Sequence, residues 1–127
     1  MNYLTAQQIL FLHARLNDET GGSHGLRDLA LLISAVERPK ASYQGQDLYP
    51  DLFHKAAALM HSLIQNHAFL DGNKGTGLGA AALLLMANGV QLTTTNDQVE
   101  GMAMAVARGE RAVDELAEWL AEHSSRI

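Results

Sequence analysis

The chain of 127 residues contains no cysteine. Disulfides and thiol nucleophiles are therefore excluded, and a reducing compartment is compatible with the composition. Basic residues are also few. Nine Lys and Arg stand against fourteen Asp and Glu, for a formal net charge of −5. This argues against a nucleic-acid binder held by a basic surface, while leaving room for one local basic pocket. Long apolar runs are missing as well. The most apolar, Gly77 to Ala87, falls short of the roughly 20 residues that cross a bilayer. The opening Met1-Asn2-Tyr3-Leu4-Thr5 lacks a basic segment followed by an apolar one, so no secretory signal is expected. There is no repeat, low-complexity tract or linker. The expectation is a soluble cytoplasmic protein with one domain over residues 1–127, large enough to bury a core.

What is present is 47% hydrophobic and 18% charged, ordinary for a globular chain. Thr5-Ala6-Gln7-Gln8 has the form of a capping box, and Ile9, Leu12 and Leu16 follow at helical spacing, so a helix is predicted from Thr5 to Glu19. Gly21 to Gly25 reads as a loop, with His24 a solvated residue in it. Leu29, Leu32, Ile33 and Val36 predict a helix over Leu26 to Arg38, with Asp28 near its start and Pro39 ending it. Lys40 to Tyr49 lacks periodicity and reads as a surface loop. Its two tyrosines, Tyr43 and Tyr49, suit contact with a partner protein. Pro50 and Asp51 open the next helix, to Asn66, with Pro50 in its first turn. Its inward stripe is Phe53, Ala56, Ala57, Met60, Leu63 and Ile64. Continued, that spacing turns His67 inward. Asn73 to Ala87 is apolar nearly all round and is expected to be the central helix, with Asn88-Gly89 ending it. Thr95-Asn96-Asp97-Gln98 is a second capping box, before a helix closed by Gly109. Val113, Leu116, Ala117 and Leu120 mark a last amphipathic helix. The prediction is an all-α, compact bundle of about six helices.

The densest chemistry lies in His67-Ala68-Phe69-Leu70-Asp71-Gly72-Asn73-Lys74-Gly75-Thr76, between two of the predicted helices. A helix starting near Asn73 presents unpaired N–H groups and partial positive charge, which favour a phosphate. Gly72 allows close backbone approach, Lys74 adds positive charge, and Asn73 and Thr76 offer polar groups. A carboxylate at Asp71 would repel a phosphate unless a cation lay between, and Mg²⁺ is the natural one. A neutral His67 imidazole can take a proton from an incoming hydroxyl. Base, metal ligand and phosphate nest together suit phosphoryl or nucleotidyl transfer. Two rival motifs fail. Lys74 follows Asn73 and precedes Gly75, so there is no Walker A loop, and no His-Glu-x-x-His is present. His54 and His61, seven apart, share a helix face without a third ligand nearby, so no metal site is expected there.

The stretch His67-x-Phe69-x-Asp71-Gly72-Asn73-Lys74 resembles the active-site motif of the Fic/Doc superfamily. Gly25-Leu26-Arg27-Asp28-Leu29 and Ala87-Asn88-Gly89-Val90 are similar to its death-on-curing (Doc) branch, the toxins of toxin–antitoxin pairs. The resemblance covers nearly the whole chain. It implies the Fic/Doc fold and transfer from ATP to a protein hydroxyl. In the Doc branch the group moved is the γ-phosphate, placed on a threonine of elongation factor Tu to halt translation. In Fic enzymes it is usually AMP. The resemblance implies catalytic roles for His67, Asp71 and Lys74, with Asp71 binding Mg²⁺. It places Asn73 and Lys74 on the phosphates and Phe69 packing under the loop, while the helix-start reading puts Gly72, Gly75 and Thr76 around the nucleotide as well. It further implies a small Phd-like antitoxin whose disordered segment folds into a groove, and no direct role for nucleic acid or membrane.

One position departs from both branches. Gly75 stands where the family has a phosphate-holding arginine, and loss of such a contact costs orders of magnitude in rate. Glycine also weakens a helix turn by about 0.5–1 kcal/mol against alanine, so packing does not account for it. Gly75 therefore predicts a weakened enzyme, and one base change suffices to turn an arginine codon into a glycine codon. Leu78 replaces a second arginine of Fic enzymes that the Doc branch commonly lacks. Two alternatives stay open: AMP transfer, and a non-catalytic binding protein that keeps the fold.

Overall fold

A computed structural model describes all residues 1–127. Six α-helices run in chain order: α1 Ala6–Thr20, α2 Leu29–Glu37, α3 Leu52–Asn66, α4 Asn73–Ala87, α5 Asn96–Ala107 and α6 Val113–Glu122. The only sheets are two small antiparallel pairs. β1 Ser42–Tyr43 pairs with β2 Gln46–Asp47, and β3 Val90–Leu92 pairs with β4 Ser124–Arg126. The fold is all-α, as the periodicity predicts.

Both capping boxes form. Thr5 accepts from Gln8 N while Gln8 reaches back to Thr5 N, and Thr95 and Gln98 do the same for α5. Such caps satisfy N–H groups that a helix start leaves orphaned. Asp28 and Asp51 cap α2 and α3 through their carboxylates. Pro50 therefore lies before the cap of α3, outside the first turn.

The central helix is α3, correcting the expectation for α4. It carries nine buried residues and packs against α2, α4, α5 and α6. On α4, Leu83 and Met86 are exposed. The close α3–α4 contact depends on Gly77, where a Cβ would come 2.7 Å from Ile64 Cγ1 and 3.1 Å from Met60 O. On α1 the buried positions are Ile9, His13 and Asn17, one residue round from the predicted stripe of Leu12 and Leu16.

Three further differences have physical causes. α2 begins three residues later than its apolar spacing predicts, because Leu26 pairs with Phe69 in an isolated antiparallel bridge. Leu29 and Ile33 stay exposed on it. Pro39 sits within a 3-10 turn, Arg38–Lys40, rather than beyond the helix. The predicted loop 40–49 is a short hairpin, turned by Gln44 and Gly45 at φ 51° and 78°. The buried Lys55 ammonium pins its base, donating to Tyr49 O at 2.6 Å and to Asp47 Oδ2 at 3.3 Å. Tyr43 is 68% exposed, whereas the Tyr49 hydroxyl accepts from Arg38 Nε at 2.8 Å.

Candidate functional site

α3 ends at Asn66, and His67 follows in the left-handed region at φ 52°, ψ 51°. That turn breaks the 3.6-residue period. His67 is consequently exposed at the rim of the loop, not inward as helical continuation predicts. Arg27 holds the turn from outside. Its Nε donates to His67 O at 2.6 Å and its Nη2 to Asn66 O at 3.0 Å. A cation on the last carbonyls of a helix is favoured by the helix dipole. The backbone is tied down beside it, since Ala68 O accepts from Arg27 N at 2.8 Å and from Asp28 N at 3.0 Å. Leu70 N donates to Gly25 O at 3.1 Å. The segment 25–28 thus clamps the loop 67–70 along its length.

The next residues divide between support and chemistry. Phe69 is 2% exposed and stacks on His13, with ring centroids 3.8 Å apart and planes 9° from parallel. It lies under the loop, not on its open face. Asn73 bonds back to Phe69 twice, accepting from Phe69 N at 3.1 Å and donating to Phe69 O at 3.0 Å. Its amide is spent on closing the loop, so only its backbone N–H remains for a ligand. Thr76 is fully buried and its Oγ1 has no hydrogen-bond partner. At the fourth position of α4 it faces the core, which removes its hydroxyl from the phosphate nest expected from sequence.

Asp71 and the start of α4 form the open face. Gly72, at φ 80°, gives α4 an N-cap without a side-chain bond. The first helix bond in this turn is Thr76 N to Gly72 O, so the N–H groups of Asn73, Lys74 and Gly75 point out unpaired. Lys74 and Gly75 are exposed beside them. The Asp71 carboxylate is fixed by two backbone donors, Gly72 N to Oδ1 at 2.9 Å and Ser23 N to Oδ2 at 3.1 Å. Each oxygen keeps a second lone pair, and the residue is exposed. No group of three or more His, Cys, Asp or Glu side chains gathers as a metal cage. A divalent cation here would take Asp71 together with ligand oxygens and water, which is the usual manner of Mg²⁺. The residues present fit that ion.

A cavity of about 330 Å³ opens beside Lys74, Gly75 and Leu78, with Glu100, Ala103 and Met104 of α5 opposite. A Cβ at Gly75 would meet nothing within 4 Å, so a side chain can leave the backbone there without a clash. A larger concavity, about 800 Å³, lies elsewhere, between α1 and α4 and lined by Phe11, Leu12, Leu16, Leu83 and Met86 among others. His54 and His61 do not face the loop. His54 lies between Asp51 and Asp114, and His61 bonds to Arg38. The sequence gives no role to the side chains of His13, Asn17 and Arg27 or to the backbone of Ser23. A signal existed for two of them, because a histidine and an asparagine four apart fall among the apolar residues of α1.

Comparison with known proteins identifies the family. A sequence model of the Fic/DOC family matches residues 3–85. The chain is 46% identical over 103 residues to Toxin Doc of Mycolicibacterium smegmatis, covering 80% of this chain and 79% of that protein. It is 28% identical over 120 residues to Protein kinase doc of Escherichia phage P1, covering 94% of each. No helix is long and apolar enough to cross a membrane. The chain belongs to the Fic/Doc family, within its Doc branch.

Proposed function

We propose that the chain is a toxin of a toxin–antitoxin pair that transfers the γ-phosphate of ATP to a protein hydroxyl, a threonine of elongation factor Tu being the target, and so blocks translation. The carrying observation is the loop itself: an exposed imidazole, a tethered carboxylate and three free N–H groups at one helix start. The names of the two relatives, a toxin and a protein kinase, support the same direction.

In this reading His67 takes the proton of the target hydroxyl as its oxygen attacks the γ-phosphorus. The bond from that phosphorus to the β,γ-bridging oxygen breaks, and ADP leaves. The N–H groups of Asn73, Lys74 and Gly75 and the Lys74 ammonium hold the phosphates and stabilise developing charge. Asp71 would hold Mg²⁺, which would supply positive charge to offset that of the phosphates. Gly75 leaves this nest one cation short, so the transfer is weak in this chain. That same deficit favours the second reading, a binding protein that keeps the fold. The hairpin carrying Tyr43 touches the target. A Phd-like antitoxin is the partner, and the apolar groove between α1 and α4 suits a segment of it.

The test is translation in a cell-free extract. The Gly75→Arg form should stop peptide synthesis, and Gly75→Arg with His67→Ala should not. Synthesis running undisturbed with the Gly75→Arg form, given soluble folded protein, would remove the toxin reading.

A further inference from the structure

We propose that His13 is a positioning residue for Asp71 and that, with Asn17, it sets the direction of the Asp71 carboxylate and so the hold of the chain on the metal of Mg·ATP. The inference rests on the role given to Asp71 above.

The two residues lie four apart on one face of α1 and are only 4% and 3% exposed. Burying an imidazole and an amide is unfavourable unless their polar atoms find partners. Here the partners all lead to one residue. His13 Nε2 donates to Asp71 O at 2.7 Å. Asn17 Nδ2 donates to Ser23 O at 2.6 Å, and Ser23 N in turn donates to Asp71 Oδ2 at 3.1 Å. Asp71 is thus held at both ends, by its carbonyl and by one carboxylate oxygen, and both holds originate on α1. With the Nε2 proton directed at Asp71, the neighbouring Asn17 amide, 3.2 Å away, is left to serve Ser23. The stack of His13 on Phe69 fixes the plane from which Nε2 points.

The fit leaves little slack. A Cβ at Gly22 would lie 2.9 Å from Asp71 Oδ2 and 3.2 Å from Asn17 Cγ, and a Cβ at Gly72 would run into Asn17 Oδ1. The glycines on either side of the carboxylate are therefore pressed against Asn17. An apolar side chain at position 13 would leave Asp71 O without its donor. Partners that orient a metal ligand typically change metal affinity by about 10–100-fold when removed.

Two substitutions separate the ring from the donor. His13→Phe keeps the stack on Phe69 and loses the hydrogen bond. His13→Gln keeps a donor and loses the ring. ATP affinity is measured by calorimetry with saturating Mg²⁺ and again in EDTA, with thermal melts of each variant and Asp71→Asn as reference. The expected result is a loss on the order of tenfold for His13→Phe with Mg²⁺, no loss in EDTA, and substantial recovery in His13→Gln. Equal losses in both media would assign His13 a merely structural role and overturn the proposal. So would full affinity of His13→Phe with Mg²⁺. Asn17→Ala should share the Mg²⁺-specific loss, and it decides the matter should His13→Phe fail to fold. If Asp71→Asn retains the whole effect of Mg²⁺, the metal role of Asp71 falls and this proposal falls with it. If only the His13 and Asn17 variants retain it, the role of Asp71 stands and this proposal alone fails.

Discussion

Replacing Arg27 by methionine removes two donors from the end of α3 while keeping most of the aliphatic stem. The lost bonds run to His67 O at 2.6 Å and to Asn66 O at 3.0 Å. A hydrogen bond to a charged group contributes roughly 1.5–3 kcal/mol when well shielded. Arg27 is exposed, so water replaces part of each, and screening weakens its interaction with the helix dipole. Together the two bonds should contribute about 1–2 kcal/mol. For a chain this long the entropy of unfolding is about 0.3 kcal/mol per degree, so Tm should fall by about 4–7 °C. Arg27→Lys retains the charge but not the fork, and should fall by about half as much. Calorimetric melts at constant pH and salt measure both. Stability and site are linked here, because one of the two carbonyls Arg27 holds belongs to His67 in its left-handed turn. Phosphoryl transfer by the methionine form should drop more than its folded fraction explains. A Tm within 1 °C of the parent would refute the argument, by showing that water serves these carbonyls equally well.

Burial, and then the Arg38 guanidinium, hold the His61 imidazole below its ordinary range, against an opposing hydrogen bond to the Arg111 backbone. The unfolded chain therefore binds this proton first as pH falls. Stability should decline below about pH 6.5 towards the lower folded value, and His61→Gln should flatten that part of a Tm profile. Thr76→Val removes a buried hydroxyl that has no partner. It should raise stability by about 1 kcal/mol and leave ATP affinity unchanged, whereas a fall in affinity would return Thr76 to the phosphate nest. Tyr43→Ala, at the exposed hairpin, should lower target modification without altering ATP binding, as a transfer assay beside calorimetry would register.

The helices were legible because their causes are local. Thr5 with Gln8, and Thr95 with Gln98, cap as their spacing predicts, and Asp28 and Asp51 do so without a glutamine partner. The features that local sequence does not display depend on distant partners. Leu26 and Arg27 have helical spacing, yet the loop 66–69 recruits them into a bridge and a cap. β3 and β4 meet only because α6 brings the chain back beside Val90. The hairpin turn uses Gln44-Gly45 instead of the more telling Asn-Gly pair. Periodicity turns His67 inward because it says nothing about where a left-handed residue ends the helix. In the site, the identities of His67, Asp71 and Lys74 mark the stretch in sequence, but the commitments of Asn73 to Phe69 and of Thr76 to the core do not appear until the loop is closed.

The central claim is that this loop moves the γ-phosphate of ATP with His67 as the proton acceptor. It is tested most directly by supplying ATP labelled in the γ- or the α-position, with Mg²⁺ and elongation factor Tu, to the parent chain, to Gly75→Arg, and to Gly75→Arg with His67→Ala. The account predicts γ-label on the target, raised by about 10²-fold or more in Gly75→Arg and abolished with His67→Ala. Open space around Gly75 means the arginine should not disturb the fold. α-Label on the target would contradict the account in favour of AMP transfer. No label from a folded Gly75→Arg form that binds ATP would contradict it in favour of a binding protein.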